Sequence, residues 1–312
     1  VLRADLVARI DPRLGVRVIG QRTLHYDAPS TPEDDRPAHA RAASGLAFHG
    51  DRLVVVQDDA SFLAIVTRDG VSAIALPRGA DGRRRFEVAL GNKHDKLDLE
   101  SCLTIDDELW AFGSGSTPKR EQICRVRDDV PAIRDASPLY ARVREALGGA
   151  LNVEGVAYVA PDLWLFHRGN TGEADPGPAI VRVSFDALRT WLDGAGEPPI
   201  VLGVRACDLG SIGATRFGFT DAVAHGDRVY YLAAAEASAN AIDDGTVLGS
   251  QLGVIIGDTL RAAPLCDPDG RPIKAEGLAL APDRPNHAFI AIDPDDTQAA
   301  TTIYEVELTG PW

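Results

Sequence analysis

The sequence predicts an all-β chain of five similar units. Three observations carry the prediction: a segment of fixed shape recurs five times, its copies are nearly evenly spaced, and the residues between them have strand and turn composition. The recurring segment is a short strand, a tight polar turn and a second, more apolar strand. Its copies are Ser44-Gly-Leu-Ala-Phe-His-Gly-Asp-Arg-Leu-Val-Val-Val, Glu100-Ser-Cys-Leu-Thr-Ile-Asp-Asp-Glu-Leu-Trp-Ala-Phe, Glu154-Gly-Val-Ala-Tyr-Val-Ala-Pro-Asp-Leu-Trp-Leu-Phe, Thr220-Asp-Ala-Val-Ala-His-Gly-Asp-Arg-Val-Tyr-Tyr-Leu and Glu276-Gly-Leu-Ala-Leu-Ala-Pro-Asp-Arg-Pro-Asn-His-Ala-Phe-Ile. Their leading positions lie 56, 54, 66 and 56 residues apart, room for about four strands and their loops. Four-stranded units repeated around an axis make a β-propeller, so residues 1–312 are expected to form one five-bladed propeller domain.

Third strands are expected at Phe62 to Thr67, Gln122 to Arg127, Ala179 to Ser184, Leu252 to Ile256 and Thr302 to Leu308. Fourth strands are expected at Val71 to Leu76, Ile200 to Val204 and Leu260 to Leu265. The stretch after Val130 is ambiguous, and Leu139 to Leu147 reads as a short helix. The last unit has only three strands before Trp312. Val16 to Leu24 has strand composition and is expected to supply the fourth, closing the ring. A six-bladed alternative needs Leu2 to Ile10 to contribute to an extra blade. Asp27 to Arg41 and Gly169 to Pro178, rich in Gly, Pro and acids, read as surface loops. Phe185 to Leu192 reads as a helical insertion, with Asp186 near its start and Gly194 beyond its end.

With 312 residues, 46 acidic side chains against 32 basic ones and a formal charge of −14, the composition excludes large-scale disorder. The acidic balance argues against sequence-independent nucleic-acid binding, which needs a basic field to release counterions. No run reaches the ~18 apolar residues of a membrane span. Val1-Leu2-Arg3-Ala4-Asp5 is not a signal peptide, and with Met absent the start reads as processed or trimmed, which leaves cytoplasm and periplasm both open. A closed ring has no long free sheet edge, so a monomer is expected. Cys102, Cys124, Cys207 and Cys266 lie far apart without zinc-site spacing and read as buried free thiols.

The functional signal sits at the start of each innermost strand. Ser44, Glu100, Glu154, Thr220 and Glu276 occupy equivalent positions, and on five blades such positions ring one axis. All five carry oxygen, and three are carboxylates. Clustered carboxylates repel one another and either take up protons or bind a cation. Calcium suits the set, because it accepts six to eight hard oxygen ligands in flexible geometry; magnesium demands a tighter octahedron. The plainer alternative is that these side chains are solvated or hydrogen-bonded to backbone amides. Asp221 would replace Thr220 if the register shifted by one, although alternation would turn it to the opposite face.

This order of hydroxyl and carboxylate residues resembles the central calcium site of the calcium-activated nucleotidase (apyrase) family, and Ser44 to Leu53 followed by Asp58-Asp59 is similar to that family's first blade. Glu154-Gly and Glu276-Gly resemble the Glu-Gly-Leu repeats of bacterial propellers grouped with esterase-like phytase domains. Lys96-Leu-Asp-Leu-Glu100, Gly113-Ser-Gly-Ser-Thr-Pro-Lys-Arg120 and Asn152-Val-Glu154-Gly with Arg168-Gly-Asn170 resemble an uncharacterised bacterial propeller family in that group. The nucleotidases' fuller set of nucleotide-contacting motifs is missing, so nucleotide specificity does not transfer.

In an antiparallel hairpin the first strand's start and the second strand's end are neighbours, which brings Asp58, Asp59, Ser114, Ser116, Arg168, Asn170, Glu236 and Asp293 to the channel mouth. Arg41, Lys93, Lys96, Lys119, Arg120, Arg168 and Lys274 fall in or beside the same loops. A cation ringed by bases suits an anionic small molecule, with Lys96, Ser114, Ser116, Arg120, Asn170 and Lys274 as candidate ligand-binding groups. Two functions follow. One is a calcium-dependent hydrolase of a phosphorylated or ester substrate, with Asp58 or Glu236 as general base and Arg168 gripping the anion. The other is a noncatalytic propeller with a structural ion that binds a ligand or partner. A gluconolactonase-like lactonase is disfavoured, because that group has six blades and asparagine ligands. His49 and His225 belong to the repeated turn at the far end of the hairpin, and His167 reads as structural.

Overall fold

The computed structural model describes residues 5–169, 175–237, 245–284 and 286–312. Strands β1 (Leu6–Ile10) and β2 (Gly15–Thr23) precede a first antiparallel sheet of β3 (Ala43–His49), β4 (Arg52–Gln57), β5 (Phe62–Val66) and β6 (Val71–Ala75). A second holds β7 (Leu99–Ile105), β8 (Glu108–Gly113), β9 (Gln122–Arg127) and β10 (Val130–Asp135). After helix α1 (Ser137–Leu147) comes a third set, β11 (Val153–Val159), β12 (Asp162–His167), β13 (Ala179–Ser184) and β14 (Val201–Asp208), with α2 (Phe185–Leu192) between its last two strands. The fourth set is β15 (Ser211–Ile212), β16 (Thr215–His225), β17 (Arg228–Ala237), β18 (Thr246–Ile256) and β19 (Thr259–Leu265). Finally, β20 (Ala275–Leu280), β21 (His287–Ile292) and β22 (Thr302–Thr309) form a sheet with β2. Both expected helices are present, and the ambiguous stretch after Val130 is the strand β10.

The closure expected from Val16 to Leu24 is the β2–β22 ladder, which runs antiparallel from Gly15 opposite Thr309 to Thr23 opposite Thr302. A second seam went unforeseen. β1 lies parallel to both β14 and β19, joining the third and fourth sets into one ten-stranded sheet. Leu6 to Ile10 therefore supplies a single bridging strand.

The strand sequences explain this layering. Inner strands such as β4 and β8 read as nearly unbroken apolar runs and are buried throughout, because each sheet is covered on both faces. Outer strands such as β2 and β10 alternate or stay exposed. Five apolar clusters fill the spaces between neighbours. Val54 and Val56 meet Leu109 and Ala111 between the first and second sheets, and Trp110 and Phe112 meet Val156 and Leu165. Phe166 meets Phe219 and Tyr231, Leu232 meets Leu278 and Ile290, and Ala279 and Ala291 return to Leu46 and Val55. The innermost strands pack in the cyclic order β3, β7, β11, β16, β20 and back to β3.

Around that axis the backbones nearly touch. A Cβ at Gly155 would lie 2.9 Å from the Ala222 nitrogen, and one at Gly277 would lie 3.0 Å from the Gly45 carbonyl carbon. The fourth strand puts Asp221 at the equivalent position, and its carboxyl fills the axis. Oδ1 accepts from the Ala222 N–H at 2.7 Å and Oδ2 from the Leu278 N–H at 2.7 Å, while the Leu46 N–H also donates to it. One side chain thus ties three innermost strands. Burial pushes its pKa well up, and these three donors only partly offset the shift.

The cysteines depart from expectation at one position: Cys102, Cys124 and Cys207 are buried free thiols, but Cys266 is exposed. Burial pushes the Cys124 and Cys207 thiols up to about 12. Among the described residues, no helix is long and apolar enough to cross a membrane.

Replacing Asp221 with Ala leaves three buried N–H donors without an acceptor, at about 1–3 kcal/mol each. D221A is expected to lose about 3 kcal/mol or more, read as a lower urea midpoint, with D221N recovering part of the loss.

Candidate functional site

The backbone aims the ring residues. Each of the five innermost strands has a break in register at its leading position: between Ala43 and Gly45, Leu99 and Ser101, Val153 and Gly155, Phe219 and Asp221, and Ala275 and Gly277. The residues inside those breaks are Ser44, Glu100, Glu154, Thr220 and Glu276. A bulge adds one residue against the partner strand and re-aims its side chain, so five bulges turn five oxygen-bearing groups toward the same end of the barrel of innermost strands.

The two hydroxyls serve the fold. Ser44 Oγ donates to the Leu99 carbonyl at 2.6 Å and Thr220 Oγ1 to the Ala275 carbonyl at 2.7 Å. Each links one innermost strand to the residue just before the next ring glutamate. Here the plainer alternative, hydrogen bonding to backbone, describes both residues.

The glutamates and Ser44 line a cavity of about 180 Å³. Of the candidates placed at the mouth, Asp58, Asp59, Arg168, Glu236 and Asp293 line it too, as do Lys93, Lys96 and Lys274. Three bases reach in as counter-charges. Lys96 Nζ pairs with Asp58 and lies 2.6 Å from Asp98 Oδ1. Arg168 pairs with Glu154, at 3.3 Å, and with Glu236, whose Oε1 accepts from the Gly245 N–H at 2.6 Å. Lys274 pairs with Asp295, lies 3.2 Å from Asp293 and 3.8 Å from Glu276. Deeper in the wall, Arg41 grips Asp59 at 2.8 Å and Glu87 at 2.8 Å.

The mouth is not basic, contrary to expectation. Eleven lining residues are Asp or Glu against four Lys or Arg. Of the seven bases expected there, Lys93, Lys96, Arg168 and Lys274 line the cavity, whereas Arg41, Lys119 and Arg120 do not. Ser114, Ser116 and Arg120 stand behind the wall: Ser114 Oγ donates to Asp98, and Arg120 Nη1 donates to Ser116 at 2.9 Å and lies 2.9 Å from Asp98. Lys119 turns outward to Asp95. Asn170 falls outside the described residues.

Asp98 joins the site without a sequence signal of its own beyond its place two residues before Glu100. Its backbone is left-handed, at φ 54°, and its carbonyl accepts from the Ser114 N–H at 2.9 Å. Among the described residues, Asp58, Asp98 and Glu100 form the one group of three acidic, histidine or cysteine side chains whose ligand atoms all lie within 4.8 Å of one another. His167 is structural, as expected. Its Nδ1 accepts from the Asn152 N–H at 3.0 Å, its Nε2 faces Asp175 at 3.2 Å, and Asn152 Nδ2 donates to Glu154 at 2.5 Å.

Burial pushes the Glu100 and Glu276 carboxyls well above the usual range; Asp98, Asp58 and Glu154 add to the effect at Glu100, while Lys274 and Arg168 only partly counter it at Glu276. Glu154 and Asp58 are raised by burial as well, against the pull of Arg168 and Lys96 respectively. At Asp98 burial also opposes the charge, but Lys96 and Arg120 outweigh it and hold the carboxyl low. Glu276 Oε1 is buried and has no hydrogen-bond partner.

An all-β protein of repeated four-strand sheets with an acidic cavity on its axis is the class that fold and site define. Residues 39–308 match a family of unknown function (DUF6929), and the chain belongs to it. No curated protein matches, so the nucleotidase and phytase-like resemblances rest on their motifs alone. Solved structures to which the chain is similar include Myxococcus xanthus glutaminyl cyclase, at 10% identity over 95% of this chain and 97% of that one with a TM-score of 0.49. Staphylococcus aureus virginiamycin B lyase is 10% identical over 94% and 99%, with a TM-score of 0.44. The Neurospora crassa Pan2 WD40 domain is 10% identical over 96% and 97%, with a TM-score of 0.41. No residue role passes to this chain from proteins so different in sequence and activity.

The raised carboxyls fix a sign for pH dependence. Each holds its proton in the folded state at a pH where the unfolded chain has released it, so stability falls as pH rises from the unfolded values toward the raised folded ones. Without divalent cations, the melting temperature is expected to drop as pH rises above the ordinary carboxylate range. In E100Q/E276Q that slope should flatten.

Proposed function

We propose that this chain is a five-bladed β-propeller whose axial cavity binds a divalent cation, calcium by preference, and that binding rather than bond cleavage is its primary activity. The carrying observation is Glu276 Oε1, buried without a hydrogen-bond partner in a cavity lined by eleven acidic residues. Lys274 faces that oxygen at 3.8 Å, beyond hydrogen-bond distance; a buried carboxylate oxygen so loosely compensated is costly, and a cation removes that cost. The donors are hard oxygens from several sheets, which fits calcium's high and flexible coordination better than magnesium's octahedron. Glu100, Glu154 and Glu276 bring carboxylates to the one cavity from three different sheets, so the negative field that attracts the ion is shared around the ring. An anionic ligand would then enter through the bound cation, because Lys96, Arg168 and Lys274 are already engaged with carboxylates.

One observation favours hydrolysis as a second reading. Asp98 and Glu100 belong to one compact group, yet their pKa values are driven in opposite directions, the split that separates base from acid. Against it, Asp58 is engaged with Lys96 and Glu236 with Arg168, so neither candidate base is at liberty.

Calcium is expected to raise the melting temperature and EDTA to reverse the rise, with E276Q binding calcium at least about tenfold more weakly in calorimetry. A melting curve and a titration both indifferent to calcium would sink the proposal. Phosphatase and esterase panels with calcium present separate the two readings: no turnover is expected, whereas turnover lost in D58N or E154Q would establish the hydrolase.

A further inference from the structure

We infer that the cation's seat lies off the axis, between the first and second sheets, on Asp58, Asp98 and Glu100, and that Lys96 is a built-in competitor for it. This rests on the cation-binding reading above and deepens it.

The three carboxylates arrive by separate routes. Asp58 follows β4 of the first sheet, Asp98 stands in left-handed backbone just before β7, and Glu100 occupies the bulge of β7. Their ligand atoms lie within 4.8 Å of one another, which no other acidic, histidine or cysteine trio among the described residues achieves. Asp98 is held from behind by Ser114 and Arg120, so its orientation is fixed before any ion arrives. Among the described residues the Glu100 side chain makes no hydrogen bond or ion pair, which leaves it ready to turn toward a cation. Across the same cavity, Glu276 Oε1 is buried without a hydrogen bond, its ion-pair contact with Lys274 stretched to 3.8 Å.

The ammonium of Lys96 already touches two members of the trio, bridging Asp58 and Asp98, and Glu100 adds to the field that keeps it charged. Its side chain is only 7% exposed, so it is a committed internal cation and no surface charge. A divalent ion seated on the same oxygens cannot share them with an ammonium at this range, since like charges a few ångströms apart repel by several kcal/mol at an effective dielectric of about 20. Binding therefore requires Lys96 to leave, and calcium affinity is the difference between two cations competing for one set of oxygens. Lys274 makes the informative comparison: it carries the same charge and lines the same cavity, but sits on Asp293 and Asp295 instead.

The test is calcium titration calorimetry on the wild type, K96M, K274M and D98N, with far-UV circular dichroism confirming the fold. K96Q takes the place of K96M if the latter does not fold. K96M is expected to bind calcium at least about tenfold tighter than the wild type. K274M should gain clearly less, and D98N should lose binding. Equal gains in K96M and K274M would show general charge at work and overturn the assignment of the seat, as would D98N binding like the wild type. Wild type that binds calcium while K96M binds no tighter overturns the competition alone. If neither the wild type nor K96M binds calcium, the failure belongs to the underlying cation reading. Binding that appears only in K96M supports both the seat and the competitor.

Discussion

The constraint on which everything else depends is the close approach of five innermost strands around one axis. At that separation no side chain larger than hydrogen fits at Gly45, Gly155 or Gly277 without a shift. The remaining space is taken by the carboxyl of Asp221, which accepts backbone N–H groups from its own strand and from two others. Crowding at this level also makes sense of the bulges one residue earlier. Each lets its strand turn one side chain toward the open end just before the backbones converge. Site and core are therefore consecutive residues of the same strands: at Glu154-Gly155 and Glu276-Gly277 the glycine that permits packing follows the glutamate that faces the cavity.

The cavity shows how much uncompensated charge such a framework can hold. Desolvation works against every carboxylate in it, and the structure answers in two ways. Lys96, Arg168 and Lys274 enter as counter-ions, and the carboxyls they do not fully balance are driven toward the protonated form. Truncating one partner of a buried pair typically costs about 3–5 kcal/mol, so the arrangement is held as a network and not as separate bridges. In a cavity of this kind each carboxyl either meets a base or is pushed toward holding its proton.

Much of the fold was legible because propeller sheets write their layers into sequence. Buried inner strands are continuous apolar runs, outer strands alternate, and the repeated turn fixes the phase. That phase located Ser44, Glu100, Glu154, Thr220 and Glu276 within one bulge each and drew Val16 to Leu24 into the last sheet. Two things were not legible. β1 pairs in parallel with strands from two different sheets, and nothing local to Leu6–Ile10 encodes partners some two hundred residues away. The balance of charge at the mouth was equally hidden: sequence shows that bases lie near the cavity, whereas only geometry shows which acids they meet. Asp98 stood in plain view within Lys96-Leu-Asp-Leu-Glu100, but its role depends on the first sheet's Asp58 being brought against it.

The two seams have a consequence for how the chain acquires its structure. β1 finds its partners in β14 and β19, and β2 finds its partner in β22, so each waits for a strand far along the chain. Until residues near 201 and then 302 have been synthesised, both are unpaired ribbons with exposed hydrogen-bonding edges. Contacts of such long sequence separation are slow to form. During synthesis the growing protein is in effect an open arc with two loose ends, and it becomes a ring only when its final strand captures one of its first.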